Sequence, residues 1–174
     1  MSRYSATIAW NRGAAAFVDK RYSRVHVWQC DGGAVVRGSS SPSSVPIPYS
    51  DPAAVDPEEA FVAALSSCHM LWFLSIAAKN GLCVESYRDE AVGTLGAGAD
   101  GRLRMTSVAL RPHVVFVGDP PPSSDQVRAM HGIYLLDNIV RLLGEGYEAD
   151  HEMVAWYRYL LGKIVAPARE AALV

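Results

Sequence analysis

The chain has 174 residues, with 16 Lys and Arg against 18 Asp and Glu for a formal net charge of -2; half of the residues are apolar and a fifth are charged. That composition excludes a mainly disordered polypeptide, and the absence of any long run of Lys or Arg excludes the electrostatic footprint of a nucleic-acid or anionic-membrane binder. One domain spanning 1–174 with small-molecule partners is the expectation, since this length buries a core without staples. The cysteines are Cys30, Cys68 and Cys83, and Met1-Ser2-Arg3-Tyr4 opens no apolar signal stretch. An odd number of cysteines with no leader points to a reducing, cytoplasmic setting and free thiols.

In chain order, Tyr4, Ala6, Ile8 and Trp10 alternate with Ser5, Thr7 and Ala9, and Val25, Val27 and Gln29 alternate with His26 and Trp28. Period-two patterning of this kind predicts two half-buried strands. Asp31-Gly32-Gly33 is a turn feeding Ala34-Val35-Val36-Arg37, so a meander is expected, followed by a Ser/Pro-rich loop over 38–54. Arg3, Arg21 and Arg37 read as solvated surface charges.

The clearest element starts at Asp56-Pro57-Glu58-Glu59. Asp is a good N-cap, Pro fits the first helical position and Glu at the third closes a capping box. A helix is predicted to run from there to Lys79-Asn80-Gly81, where a cation and a glycine mark the C-terminus. It is apolar on nearly every face and approaches membrane-spanning length. Ser66-Ser67-Cys68-His69 would fall at the bilayer centre and the acidic cap has no basic flank, so a core helix buried all round, under a sheet or in a dimer, is expected instead.

Residues 82–95 and 102–118 read as two long strands joined by the glycine-rich loop at 96–101. That loop lacks the Lys-Ser/Thr and the following helix of a phosphate cradle. Pro120-Pro121-Pro122 then precedes a predicted helix over 124–143, a Gly144-Glu145-Gly146 break and a last helix near 148–165. Strands, helix, strands and helices in that order give an α+β fold with a mostly antiparallel sheet.

The segment from Asp56 to His69, with Trp10, Tyr22-Ser23-Arg24, Asp31-Gly32-Gly33 and the Ser-Ser-Ser-Pro segment at 39–42, resembles the OsmC/Ohr family of thiol-dependent hydroperoxide reductases. In that family a Pro-Glu pair opens the central helix and a peroxidatic cysteine follows ten residues after the Glu, as Cys68 follows Glu58. The resemblance covers about residues 3–118. It implies antiparallel strands wrapped around a long central helix, an intertwined homodimer with its sites at the interface, reduction of small organic hydroperoxides in oxidative-stress defence, no bound cofactor, and an external dithiol reductant such as a lipoyl protein. It also implies an Arg beside the Cys and the Glu, for which Arg12 and Arg24 both qualify. The family's second cysteine has no counterpart: the best match, Tyr134 to Val140, puts Tyr134 in its place, and residues 131–174 are either divergent or altered by a frame change.

The chemistry needs a thiolate and a stabilised leaving oxygen. Lowering a thiol pKa from about 8.5 to about 6 raises the thiolate fraction at pH 7 roughly thirtyfold. With a Brønsted slope of about 0.45, nucleophilicity then falls roughly tenfold, so the net gain is only a few-fold. The Arg must therefore act mainly on the peroxide and the departing alkoxide, held by a bidentate pair with Glu58. Ten helical residues span about 15 Å, so Glu58 and Cys68 of one helix cannot meet, and the site is expected to cross a dimer interface.

Other readings are weaker. Without the family match, Cys68 would be a small buried hydrophobe. His69 points about 100° from Cys68 and cannot form a dyad with it, so it reads as a polar lining or interface residue. His151-Glu152 lacks a second zinc ligand, His26 and His113 have no ligand spacing, and no metal site is expected. Cys30 and Cys83 read as packing residues on strands, while Met70, Trp72 and Phe73 are core or line an apolar pocket. A dimer that binds an apolar molecule and has lost catalysis along with the second cysteine is the competing function.

Overall fold

The computed structural model of the chain describes residues 3–98 and 100–132. Tyr134 and the helices expected beyond 132 lie outside the described residues. The elements are β1 (Ala6–Ala9), β2 (His26–Cys30), β3 (Val35–Gly38), α1 (Pro57–Lys79), β4 (Cys83–Asp89), β5 (Val92–Ala97), β6 (Leu103–Ala109) and β7 (Pro112–Val117), with residues 124–132 helical after them. They form two compact units: among the described residues, one holds 3–70 and 85–115 and the other 71–84 and 116–132.

The expected meander is present. β2 lies between β1 and β3, antiparallel to both, with Ile8 opposite Trp28 and Trp28 opposite Val36. The Gly33 turn enters the left-handed region at φ 88°, where glycine has no steric penalty, and Gly33 N–H closes it on the Cys30 carbonyl. Residues 39–54 form the expected connection without helix or strand. Arg37 is paired with Asp51 across it rather than simply solvated.

Both ends of α1 follow the sequence signals. Glu59 N–H donates to Asp56 Oδ1 at 2.7 Å while Asp56 N–H donates to Glu59 Oε2 at 3.1 Å, a closed capping box of the kind that contributes about 1 kcal/mol. At the other end Gly81 has φ 69°, Gly81 N–H bonds the Ala78 carbonyl and Leu82 N–H the Ala77 carbonyl, which is a Schellman closure. The expectation of burial on all sides is not met among the described residues. Of the helix's 23 residues, His69, Phe73, Ile76 and Ala77 are buried, and Phe61 and Leu71 are 54% and 61% exposed. By length and composition α1 is also long and apolar enough to cross a membrane.

The two long strands expected over 82–95 and 102–118 are each broken in two. β4 pairs with β7 and β5 with β6. Asp89 sits at the first break and takes the backbone N–H of Arg111 at the second, 2.6 Å from its Oδ1, and Pro112 has no N–H to extend the ladder. Within the β5–β6 hairpin the register shifts between Thr94 and Leu95, so Thr106 is the extra residue; its hydroxyl bonds the Thr94 carbonyl at 3.0 Å. Gly93 in β5 leaves room for α1, because a Cβ there would come within 2.5 Å of Val62 Cγ2.

In the second unit Phe73 is fully buried, stacked on His131 with ring centroids 4.4 Å apart and tilted on Phe116 at 6.3 Å. His69 in the first unit is 5% exposed, so it is a buried residue rather than the lining or interface residue expected. Burial drives its pKa below the usual 6.5, with the Asp89 charge opposing the shift. The neutral ring is therefore favoured by the folded chain, while the unfolded chain takes up a proton near 6.5; stability contributed by His69 is present above that pH and is lost as pH falls below it. Thermal denaturation from pH 7 to pH 5 should show a falling midpoint, and His69→Gln should flatten that slope. An unchanged slope in His69→Gln would place the pH sensitivity elsewhere.

Candidate functional site

The two long sides of α1 differ. One side, with Glu58, Val62, Ser66 and Met70, faces an open cleft of about 800 Å³ whose other walls come from the Ser41–Ser44 segment, Tyr87, Asp89, β5 and Met105. Its apolar lining includes Val62, Leu95 and Met105, and its charges are all carboxylates, Asp56, Glu58, Glu59 and Asp89. Its carboxylates attract cations and its apolar walls attract apolar groups.

The other side carries the thiol. Phe61, Ala64, Cys68, Leu71 and Ser75 recur at three- and four-residue steps, which places them on one stripe of the helix, and all five are exposed. Cys68 is at its middle, a free and exposed thiol between apolar neighbours. It does not border the cleft, because Cys68 lies about 200° around the helix from Ser66. Cys30 and Cys83 are likewise exposed on β2 and β4, which corrects their expected role as packing residues.

The two arginines lie in the N-terminal region. Arg12 donates from Nη1 to the Ala15 carbonyl at 2.7 Å. Arg24 is more strongly held: Nη1 donates to the Lys20 carbonyl at 2.8 Å and to the Tyr22 carbonyl, and its guanidinium carbon lies 3.8 Å from the Tyr22 ring centroid. Tyr22 in turn stacks on Phe17 at 4.9 Å and meets Trp10 edge-on at 5.3 Å. Together with His26 and Ser40 these residues line a hollow of about 400 Å³. Among the described residues neither arginine forms an ion pair.

Cys68 lines neither the cleft nor the hollow. Glu58 lies in a cleft lined by acids with no cation; Arg24 sits in an aromatic hollow with no carboxylate. Met70 borders the cleft as a pocket residue, whereas Phe73 is core.

The sequence reading passed over one group of residues. Asp89 accepts from the Ser66 hydroxyl at 2.5 Å on Oδ2 and from Arg111 N–H on Oδ1, and hydrogen bonds to a charged acceptor contribute roughly 1.5–3 kcal/mol each. Its charge reaches Tyr87 as well: burial first and the Asp89 carboxylate second push the phenol up to about 12. The signal available was an Asp-Glu pair interrupting a strand pattern, a place where strands end.

Comparison with known proteins gives a consistent family. Residues 50–131 match the family model described as OsmC, OsmC-like protein. An OsmC-like protein of unknown function from Vibrio cholerae O1 biovar eltor is 54% identical, with TM-score 0.74 over 76% of this chain and 87% of that one. At lower identity, an OsmC-like protein from Mycoplasma pneumoniae shares the fold at 13% identity, TM-score 0.56, over 76% of this chain and 79% of that one. An organic hydroperoxide resistance protein from Elizabethkingia anophelis, with crystallant-derived thiocyanate bound, does so at 14% identity, TM-score 0.53, over 81% and 89%. No curated protein matches the sequence. The matched segment contains the capped helix, Glu58, Cys68 and Asp89, and with the 54% identical structure it establishes that the chain belongs to the OsmC family.

Proposed function

We propose that this protein is a cytoplasmic thiol peroxidase that reduces organic hydroperoxides through Cys68. The observation that carries the reading is the placement of Cys68, a free exposed thiol at the centre of an uncovered apolar stripe on the central helix of an OsmC fold. The sulfur attacks the outer oxygen of the hydroperoxide, the O–O bond breaks, and the alkoxide leaves and is protonated to the alcohol. Cys68 is thereby oxidised by two electrons to the sulfenic acid. An external dithiol, a lipoyl group being one such, then returns the thiol, is itself oxidised to the disulfide and releases water.

Two copies of the chain supply what one lacks. Covering the stripe of one α1 with a second protomer removes Phe61 and Leu71 from water, at roughly 25 cal/mol per Å². It also brings the partner's arginines and the partner's Glu58 to the thiol, so that the site is completed across the interface. Arg24 is the stronger candidate of the two arginines, because its stacking and its two carbonyl contacts hold the guanidinium in place before substrate arrives, whereas Arg12 is anchored by a single contact. Paired with Glu58, it would bind the peroxide and the departing alkoxide beside Cys68. The organic hydroperoxide resistance protein from Elizabethkingia anophelis supports the chemistry by shared fold. One observation favours a second reading, in which the dimer binds an apolar molecule without turnover: Tyr134 stands where the family's second cysteine is expected.

With cumene hydroperoxide and a dithiol reductant, wild-type protein should consume peroxide catalytically, Cys68→Ser should lose all of that activity, and Cys30→Ser and Cys83→Ser should keep most of it. Turnover surviving in Cys68→Ser would overturn the assignment of the thiol, and inert wild-type protein would favour the binding dimer. Sedimentation at micromolar concentration should give twice the chain mass, 2 × 18.8 kDa. A monomer would contradict the shared site.

A further inference from the structure

We propose that Asp89 is a positioning residue for Cys68 and acts through Ser66. The inference rests on the peroxidase reading and extends it to a residue outside the Cys, Glu and Arg set. Ser66 lies two residues before Cys68, about 200° away around α1, on the face opposite the thiol. Its hydroxyl donates to Asp89 Oδ2 at 2.5 Å. The other carboxylate oxygen is held by Arg111 N–H at 2.6 Å, at the break between β6 and β7, while Asp89 itself ends β4. A single carboxylate therefore ties the back of the helix to the breaks in both long strands.

A helix can slide and rotate against a sheet when its contacts are apolar and non-directional, and α1 is apolar on nearly every face. A rotation of one residue step, about 100°, would carry Cys68 off its stripe. The directional bond at Ser66 opposes that rotation. Reduction of a peroxide needs the sulfur in line with the O–O bond and close to the group that receives the alkoxide, so it is sensitive to such an angle. Alkylation of an exposed thiolate by a small neutral reagent requires no positioned partner and is insensitive to it.

The variants separate the tether from the charge. Ser66→Ala removes the donor and keeps the carboxylate. Ser66→Thr keeps the hydroxyl. Asp89→Asn removes the charge, yet its carbonyl oxygen still accepts from Arg111 N–H and its amide can donate to the Ser66 hydroxyl oxygen. Full-length variants, each also carrying Cys30→Ser and Cys83→Ser, are oxidised by tert-butyl hydroperoxide in single turnover and, separately, alkylated by iodoacetamide, with both rates read by intact mass. Ser66→Ala should be oxidised about tenfold more slowly and alkylated within twofold of its parent, and Ser66→Thr and Asp89→Asn should be oxidised within threefold of it. Oxidation of Ser66→Ala at the parent rate overturns the proposal, as does an equal fall in both rates, which marks a purely structural contact. If Asp89→Asn does not fold, the Ser66 pair alone decides. A parent protein inert to the hydroperoxide overturns the peroxidase reading and this proposal together, an outcome distinct from an active parent with an unaffected Ser66→Ala.

Discussion

The structure depends on the covering of one helix. α1 is apolar on every face, and burying such a helix needs partners on all sides. The chain covers one face, where the absence of a side chain at Gly93 admits Val62 to β5 and where Ser66 is fastened to Asp89. The opposite face stays open along Phe61, Ala64, Cys68, Leu71 and Ser75. Protomer association and an organic substrate would both be drawn there by the same apolar attraction, and the thiol sits at its midpoint. The proposed shared site at a dimer interface would answer the burial problem and the chemistry together.

Charge is divided in a corresponding way. Asp56, Glu58, Glu59 and Asp89 line a cleft that holds no basic residue, while Arg24 sits on Tyr22 in a hollow that holds no acidic one. Asp89 is satisfied by Ser66 and Arg111, and Asp56 and Glu59 by each other's backbone N–H. Glu58 is left as the cleft carboxylate with no hydrogen bond or ion pair among the described residues, and the proposed function assigns it the incoming guanidinium. A bidentate carboxylate–guanidinium pair would be rigid and directional, the properties a peroxide-orienting group requires.

Much of this was legible in the sequence where signals are local. The capping box at Asp56 and Glu59, the closure at Gly81 and the β1–β2–β3 meander depend on neighbouring residues and fell where patterning put them. The breaks at Asp89 and Arg111 did not, because a side chain that captures a distant backbone N–H leaves no local pattern. Hydrophobicity alone made α1 a buried helix; it reports that a face needs cover without saying whether the same chain provides it. Of the candidate site, Glu58 and Cys68 were singled out by family spacing and Arg12 and Arg24 stayed as alternatives, while Ser66 reads as an ordinary polar residue in an apolar run unless its bond to Asp89 is known.

The central claim is that Cys68 carries a redox cycle with one cysteine, because Tyr134 cannot condense with a sulfenic acid. Intact-mass analysis with peptide mapping after one equivalent of organic hydroperoxide tests it most directly. The account predicts a gain of one oxygen atom on Cys68 with no loss of two hydrogens, followed by sulfinic and sulfonic acids in excess peroxide. Rapid formation of a disulfide from Cys68 to Cys30 or Cys83, or no oxidation of Cys68 at all, would contradict it.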